Sequence, residues 1–254
     1  IRIANPPEFP NVTVTLLLAT IAGVGGGLRW RSVHAVTVSA IALPAFLASA
    51  LDFYGWLDLL LEFSSLIAAC LALSYFGIAC IARQRGAQAD DDPFFTSVGN
   101  SLINIVYALS CGVVIASLAS IMQTMSATPV ALSLALISCR WLWLAWVSER
   151  EALGYAAVIG FFLTVLYSGN ALFEIPFRPN PLAAFFVIGY SFVLYGVNIL
   201  ASRSEGSAAK VLIRPTYYIA LALHIFLVVT IPIAQRTASA FALLAAGSFY
   251  LMFE

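Results

Sequence analysis

Residues 151–173 read EALGYAAVIGFFLTVLYSGNALF. The one charge, Glu151, stands at the first position, and the residues after it carry none. At 1.5 Å per residue a helix of this length covers about 35 Å, slightly more than the ~30 Å hydrocarbon core of a bilayer. A surface helix of a soluble protein needs a polar face toward water. This stretch has no such face, so it reads as a membrane-crossing helix.

Working outward, segments of the same character lie near 11–28, 33–51, 56–82, 96–124, 129–147, 182–201, 215–234 and 238–254. The expected fold is therefore an all-α polytopic transmembrane helical bundle of about nine spans, forming a single integral membrane domain over 1–254. The first span is weakened toward its end by Gly23, Gly25, Gly26 and Gly27. Short connections imply antiparallel neighbours. Pro129, Pro181 and Pro215 stand at helix starts, where a missing N–H costs nothing. Pro44 and Pro232 fall inside spans, where proline kinks a helix.

Composition agrees. Of 254 residues, 62% are hydrophobic and 9% charged, and the mean hydropathy is +0.97. A soluble domain carries about 25% charged residues and uses them to cover its surface. In a bilayer apolar side chains face lipid instead. The chain begins at Ile1 and stops at Glu254 in an apolar run, which reads as a fragment, or the ordered part, of a longer protein.

The basic residues orient the bundle. With nine spans, Arg29, Arg31, Arg83, Arg85, Arg150, Arg203, Lys210 and Arg214 share one side, while Arg2, Arg178 and Arg236 share the other. The richer side is assigned to the cytoplasm, which puts the N-terminus outside. Trp30, Trp56, Trp146, Tyr217 and Tyr218 fall at expected helix ends, where amphipathic rings favour the interface. Ala19, Gly23 and Gly27 recur every four residues, as do Ala68 and Ala72, a spacing that lets helices approach closely. A weak internal duplication is also legible. Thr128–Ala145 laid over Thr237–Glu254 matches at Thr128/Thr237, Ala131/Ala240, Leu134/Leu243 and Leu142/Leu251, and His34-Ala35 echoes Glu151-Ala152.

Ionisable and amide groups inside spans are the candidates for function, because burying them is costly. Asn104, Arg140 and His224 are each expected roughly 10–14 Å in from the cytoplasmic side. This common polar layer would suit a lipid headgroup, an anionic substrate or a cofactor; alternatively, Arg140 snorkels and the other two act as interhelical glue. Asp58 and Glu62, one turn apart near the outer end of the third span, are candidates for cation or proton binding, or for simple exposure at the interface. Asp90, Asp91 and Asp92 form an acidic run in a cytoplasmic loop, read as solvated.

Several chemistries find no support. His34 and His224 cannot supply a three-histidine zinc site, and they differ in expected depth, which disfavours bis-histidine haem. Cys70, Cys80, Cys111 and Cys139 lie in apolar runs without CxxC spacing and read as small buried hydrophobes. HExxH, Walker A and GxSxG motifs are missing, and Gly23-Val24-Gly25 does not continue as a dinucleotide fingerprint. No metal or cofactor is expected. Twelve basic residues balance twelve acidic ones without a basic tract, so nucleic acid is not an expected partner.

The leading expectation is a non-catalytic structural or scaffolding membrane subunit of a larger assembly, held by lipids and partner subunits, in a bacterial inner membrane. The alternative is a transporter or lipid-handling permease using the Asn104–Arg140–His224 layer. A membrane enzyme acting on a lipid-linked substrate, with Arg140 as phosphate binder and Asp90–Asp92 as metal site, ranks third.

Overall fold

The computed structural model describes residues 9–88, 92–120, 127–173, 181–204 and 206–234. Among these every regular element is a helix and no strand occurs. The long helices are α1 (Phe9–Arg29), α2 (Val33–Phe53), α3 (Leu57–Gln88), α4 (Pro93–Ser120), α5 (Ala127–Ser148), α6 (Glu151–Phe173), α7 (Pro181–Arg203) and α9 (Ile213–Ala234). A single turn, α8 (Ser207–Lys210), precedes the last. Seven of them, α1 to α7, are long and apolar enough to cross a membrane, and α9 is apolar over Ile213–Leu227. The chain is thus a polytopic integral membrane protein. The span expected at 238–254 lies outside the described residues.

Helix ends differ from expectation where helicity and hydropathy part company. The third helix, expected to stop near residue 82, continues to Gln88. Arg83, Gln84, Arg85, Ala87 and Gln88 are polar or small but good helix formers, so the helix outruns the apolar segment. The fourth begins at Pro93 rather than near 96. There Asp92 Oδ1 accepts the Phe94 N–H at 3.0 Å, capping the helix, and proline occupies its first turn.

The chain divides into two compact units, Ile1–Ser117 and Leu118–Glu254. In the first, α1 and α2 form a tight hairpin. Arg31 in the turn takes φ +53°, and the Ser32 hydroxyl caps α2 by accepting from Ala35 N–H. A β-carbon on Gly23 would collide with the Ser39 hydroxyl, and one on Gly27 would lie 2.6 Å from Val36 Cγ2. Farther along, the Thr13 and Ser49 hydroxyls meet at 2.7 Å. The Tyr75 hydroxyl of α3 donates to Ala40 O of α2 at 2.6 Å. Helix α4 packs on α3 through Val98, Leu102 and Val106, and Arg83 Nε donates to Asn100 Oδ1 at 3.1 Å. Arg31 forms an ion pair with Asp92, tying the hairpin turn to the start of α4.

The second unit repeats these devices. Glu149 in the α5–α6 turn takes φ +52°. A β-carbon on Gly160 of α6 would collide with the Ser138 hydroxyl of α5. The Tyr190 hydroxyl of α7 donates to Val158 O of α6 at 2.6 Å. Asn198 Nδ2 of α7 donates to Ile213 O at 2.6 Å and to Thr216 Oγ1 at 3.1 Å, both on α9. Arg214 Nη1 lies 3.4 Å from Glu151 Oε1, tying α9 to the start of α6. Arg31 and Glu149 are 118 residues apart, and so are the carbonyl acceptors Ala40 and Val158. Shifted back by 118, Ser138 and Gly160 fall on Thr20 and Ala42, in the antiparallel register set by Thr13–Ser49 and Gly23–Ser39. Tyr75 and Tyr190 are 115 apart, as are Arg83 and Asn198.

The cysteines depart from the sequence reading. Cys70, Cys111 and Cys139 are exposed and Cys80 is half-buried, all as free thiols. A thiol is apolar enough to face lipid, so an apolar run does not decide which way it points.

Candidate functional site

Arg140 lies on the buried face of α5, between Ile137 and Ala145, and is only 4% exposed. Its guanidinium carbon stands 5.9 Å from the Trp141 ring centroid, within cation–π range. His224, on α9, is 3% exposed. Its Nδ1 lies 3.2 Å from Ala220 O one turn earlier, which holds the ring as the Nδ1–H tautomer. Nε2 has no hydrogen-bond partner among the described residues. The Tyr195 and Phe192 rings of α7 flank the imidazole at 5.6 and 6.3 Å. Arg140 thus stands beside Trp141 on α5, and His224 beside Tyr195 and Phe192 of α7.

Asn104 belongs to the first unit, where it lies on the exposed face of α4. Glu62 is exposed on α3, and the Asp58 side chain lies outside the described residues. Of the acidic run, Asp92 is engaged by Arg31 and by the start of α4; Asp90 and Asp91 lie outside the described residues. Among the described residues no three His, Cys, Asp or Glu side chains gather as a metal site.

What the second unit does build is an apolar groove of about 590 Å³ between α6 and α7. Ala157, Phe161 and Val165 form one wall, each a helical turn beyond the last. Phe185, Gly189 and Val193 form the exposed lip on α7 at the same spacing, with Tyr190, Leu194 and Val197 also lining it. Leu142, Leu212 and Thr216 close one end. The two hydroxyls on this surface are engaged elsewhere: Tyr190 bonds Val158 O, and Thr216 bonds Leu212 O at 2.6 Å. The wall thus offers carbon to whatever enters. Neither Arg140 nor His224 lines it.

No protein-family model matches the chain, and no curated protein or solved structure does. Its chemistry is read from its own geometry. Sequence reasoning missed the groove, along with Tyr75, Tyr190 and Asn198. The two tyrosines did carry a signal, being hydrogen-bonding groups well inside their spans that need a partner once in lipid, whereas Asn198, five residues from the end of α7, did not. The groove carried none, because its lining is the same Phe, Val, Leu and Ala that fill every span.

Proposed function

We propose that the chain is a non-catalytic structural subunit of a larger assembly in the bacterial inner membrane. It crosses nine times with its N-terminus outside and is built by tandem duplication of a four-helix unit. One observation carries this reading: the frame of polar ties joining helix to helix occurs twice at matching positions. In each unit a tyrosine on the third helix bonds a carbonyl of the second, a polar residue on the third bonds the fourth, and an ion pair ties the first hairpin to the fourth. The tyrosine and the polar donor recur at an offset of 115, and the turn residue and carbonyl acceptor at 118, which favours duplication over coincidence; the ion pairs, at offsets of 120 and 122 with the charges exchanged, recur only in the elements they join. These bonds use polar groups to fix helices together. The exposed side chains of α1 and α2, such as Val14, Leu18, Ile21, Val38 and Ile41, are left to meet lipid or partner helices.

Native mass spectrometry of the gently purified complex tests this function. Stoichiometric membrane partners are expected. A lone chain that moves solute or lipid across reconstituted vesicles would overturn the scaffold reading and favour the second one, a lipid-handling permease. Two observations favour that alternative: duplicated units are a recurrent transporter plan, and the groove presents hydrocarbon. Against it, α2 runs unbroken through Pro44, whereas transporter sites use interrupted helices. The enzyme reading gains no support, since Asp92 is already committed to Arg31 and the α4 cap.

A further inference from the structure

We propose that the α6–α7 groove is a binding site for one acyl chain of an anionic phospholipid, with the lipid phosphate held by the basic residues at the Leu212–Thr216 end. The proposal needs only that these helices lie in a bilayer, so it stands whether the protein is a scaffold or a permease. The first argument is length. On α7 the groove runs from Phe185 to Val197, which is about 18 Å at 1.5 Å per residue. Half of a bilayer's hydrocarbon core is about 15 Å thick. The groove is therefore about as long as one leaflet is thick, and it extends from Phe185, near one end of the apolar span, across the middle to Val197, about 9 Å short of Arg203 at the other. Its volume of about 590 Å³ falls in the range of specific small-molecule sites.

The second argument is the wall. Its hydroxyls are already bonded to the backbone, so a polar ligand would meet no free donor there, while a hydrocarbon chain leaves nothing unsatisfied. The exposed lip at Phe185, Gly189 and Val193 admits a chain sideways from the bilayer. The third argument is charge. Thr216 and Leu212 close the end, and Arg214 and Lys210 stand beside them in sequence, both exposed. Arg150 and Arg203 are exposed at neighbouring helix ends, against Glu149 and Glu151, the latter beside Arg214. Cations at the hydrophobic edge attract anionic headgroups.

The glycines of α7 supply a clean test. Gly189 lines the groove, Gly196 does not, and a β-carbon at either has open space around it. Gly189→Phe therefore places a ring at the groove's lip with no neighbour within 4 Å of its β-carbon, and Gly196→Phe does the same away from the groove as the matched control. The full-length protein would be reconstituted in vesicles of equimolar phosphatidylglycerol and phosphatidylcholine, extracted gently, and examined by native mass spectrometry. The wild type and Gly196→Phe should retain one lipid per chain, enriched at least three-fold in phosphatidylglycerol. Gly189→Phe should lose it. Lys210→Gln with Arg214→Gln should keep a lipid but lose the headgroup enrichment. Retention that survives Gly189→Phe, loss in Gly196→Phe as well, or wild-type retention without headgroup preference would each overturn the proposal.

Discussion

At Gly160 the α5–α6 seam closes on the Ser138 hydroxyl, leaving no room for a β-carbon. Overpacking a tight seam costs about 1–3 kcal/mol. Gly160→Ala should accordingly lower the thermal unfolding midpoint in detergent. Replacing Ser138 by Ala as well removes the colliding oxygen, although Ser138 Cβ, 3.3 Å from the added methyl, stays tight. The double variant should recover more than half of the loss, a coupling expected only of residues in contact. Gly112→Ala, with open space around its β-carbon, should be neutral or slightly stabilising. The four-residue spacing of Gly23 and Gly27 made one such seam legible in the sequence, and both residues do face α2. Gly154 and Gly160 have no such spacing; Gly154 closes on Pro215 and the Val211 carbonyl, and Gly160 on Ser138, 22 residues away in the chain. A single-residue pattern cannot carry that information. The same holds for Asn104, Arg140 and His224: the sequence singled them out by expected depth but carried nothing about the direction of each side chain, and Asn104 proves exposed while Arg140 and His224 are buried.

The elements are held by a few polar ties whose strengths are separable. Tyr75→Phe and Tyr190→Phe each delete one interhelical hydrogen bond of about 0.6 kcal/mol, the average for such bonds in membrane bundles. Because the two bonds are counterparts in separate units, the losses should be similar and additive in the double variant. Reversible unfolding in mixed detergent would measure both. The ion pairs should differ. Arg214 and Glu151 are exposed, so Arg214→Ala costs at most about 1 kcal/mol. Asp92→Ala removes both the Arg31 pair and the cap on α4, and so should cost more than either loss alone, on the order of 1–2 kcal/mol. Sequence located the described spans because hydropathy is local. It ended α3 too early because hydropathy marks where the lipid stops, while helix propensity in Arg83–Gln88 decides where the helix stops. The tyrosine hydroxyls announced a need for acceptors, but the acceptors are carbonyls 35 and 32 residues away, beyond any local reading.

For the whole molecule, duplication and topology bear on each other. Between the turns at Trp30–Arg31 and Ser148–Glu149 lie four long helices, α2 to α5. If all four cross, the chain returns to the side it left, and both turns lie on that side. The echo of His34-Ala35 in Glu151-Ala152 sits at an offset of 117, one residue from the structural 118. In so uniformly apolar a chain identities alone cannot fix a register, and the proposed duplication rests instead on the shared spacing of backbone φ and hydrogen-bond acceptors. The test uses Trp30→Cys and Ser148→Cys, 118 apart, each in a background with Cys70, Cys80, Cys111 and Cys139 replaced by alanine. A membrane-impermeant maleimide applied to intact cells should label neither, and permeabilised cells should label both, if the basic turns face the cytoplasm as proposed. Labelling of both in intact cells would reverse the orientation and leave the tandem repeat standing. Labelling of only one would mean an odd number of crossings between the turns, and the parallel duplication, with the function argued from it, would fall.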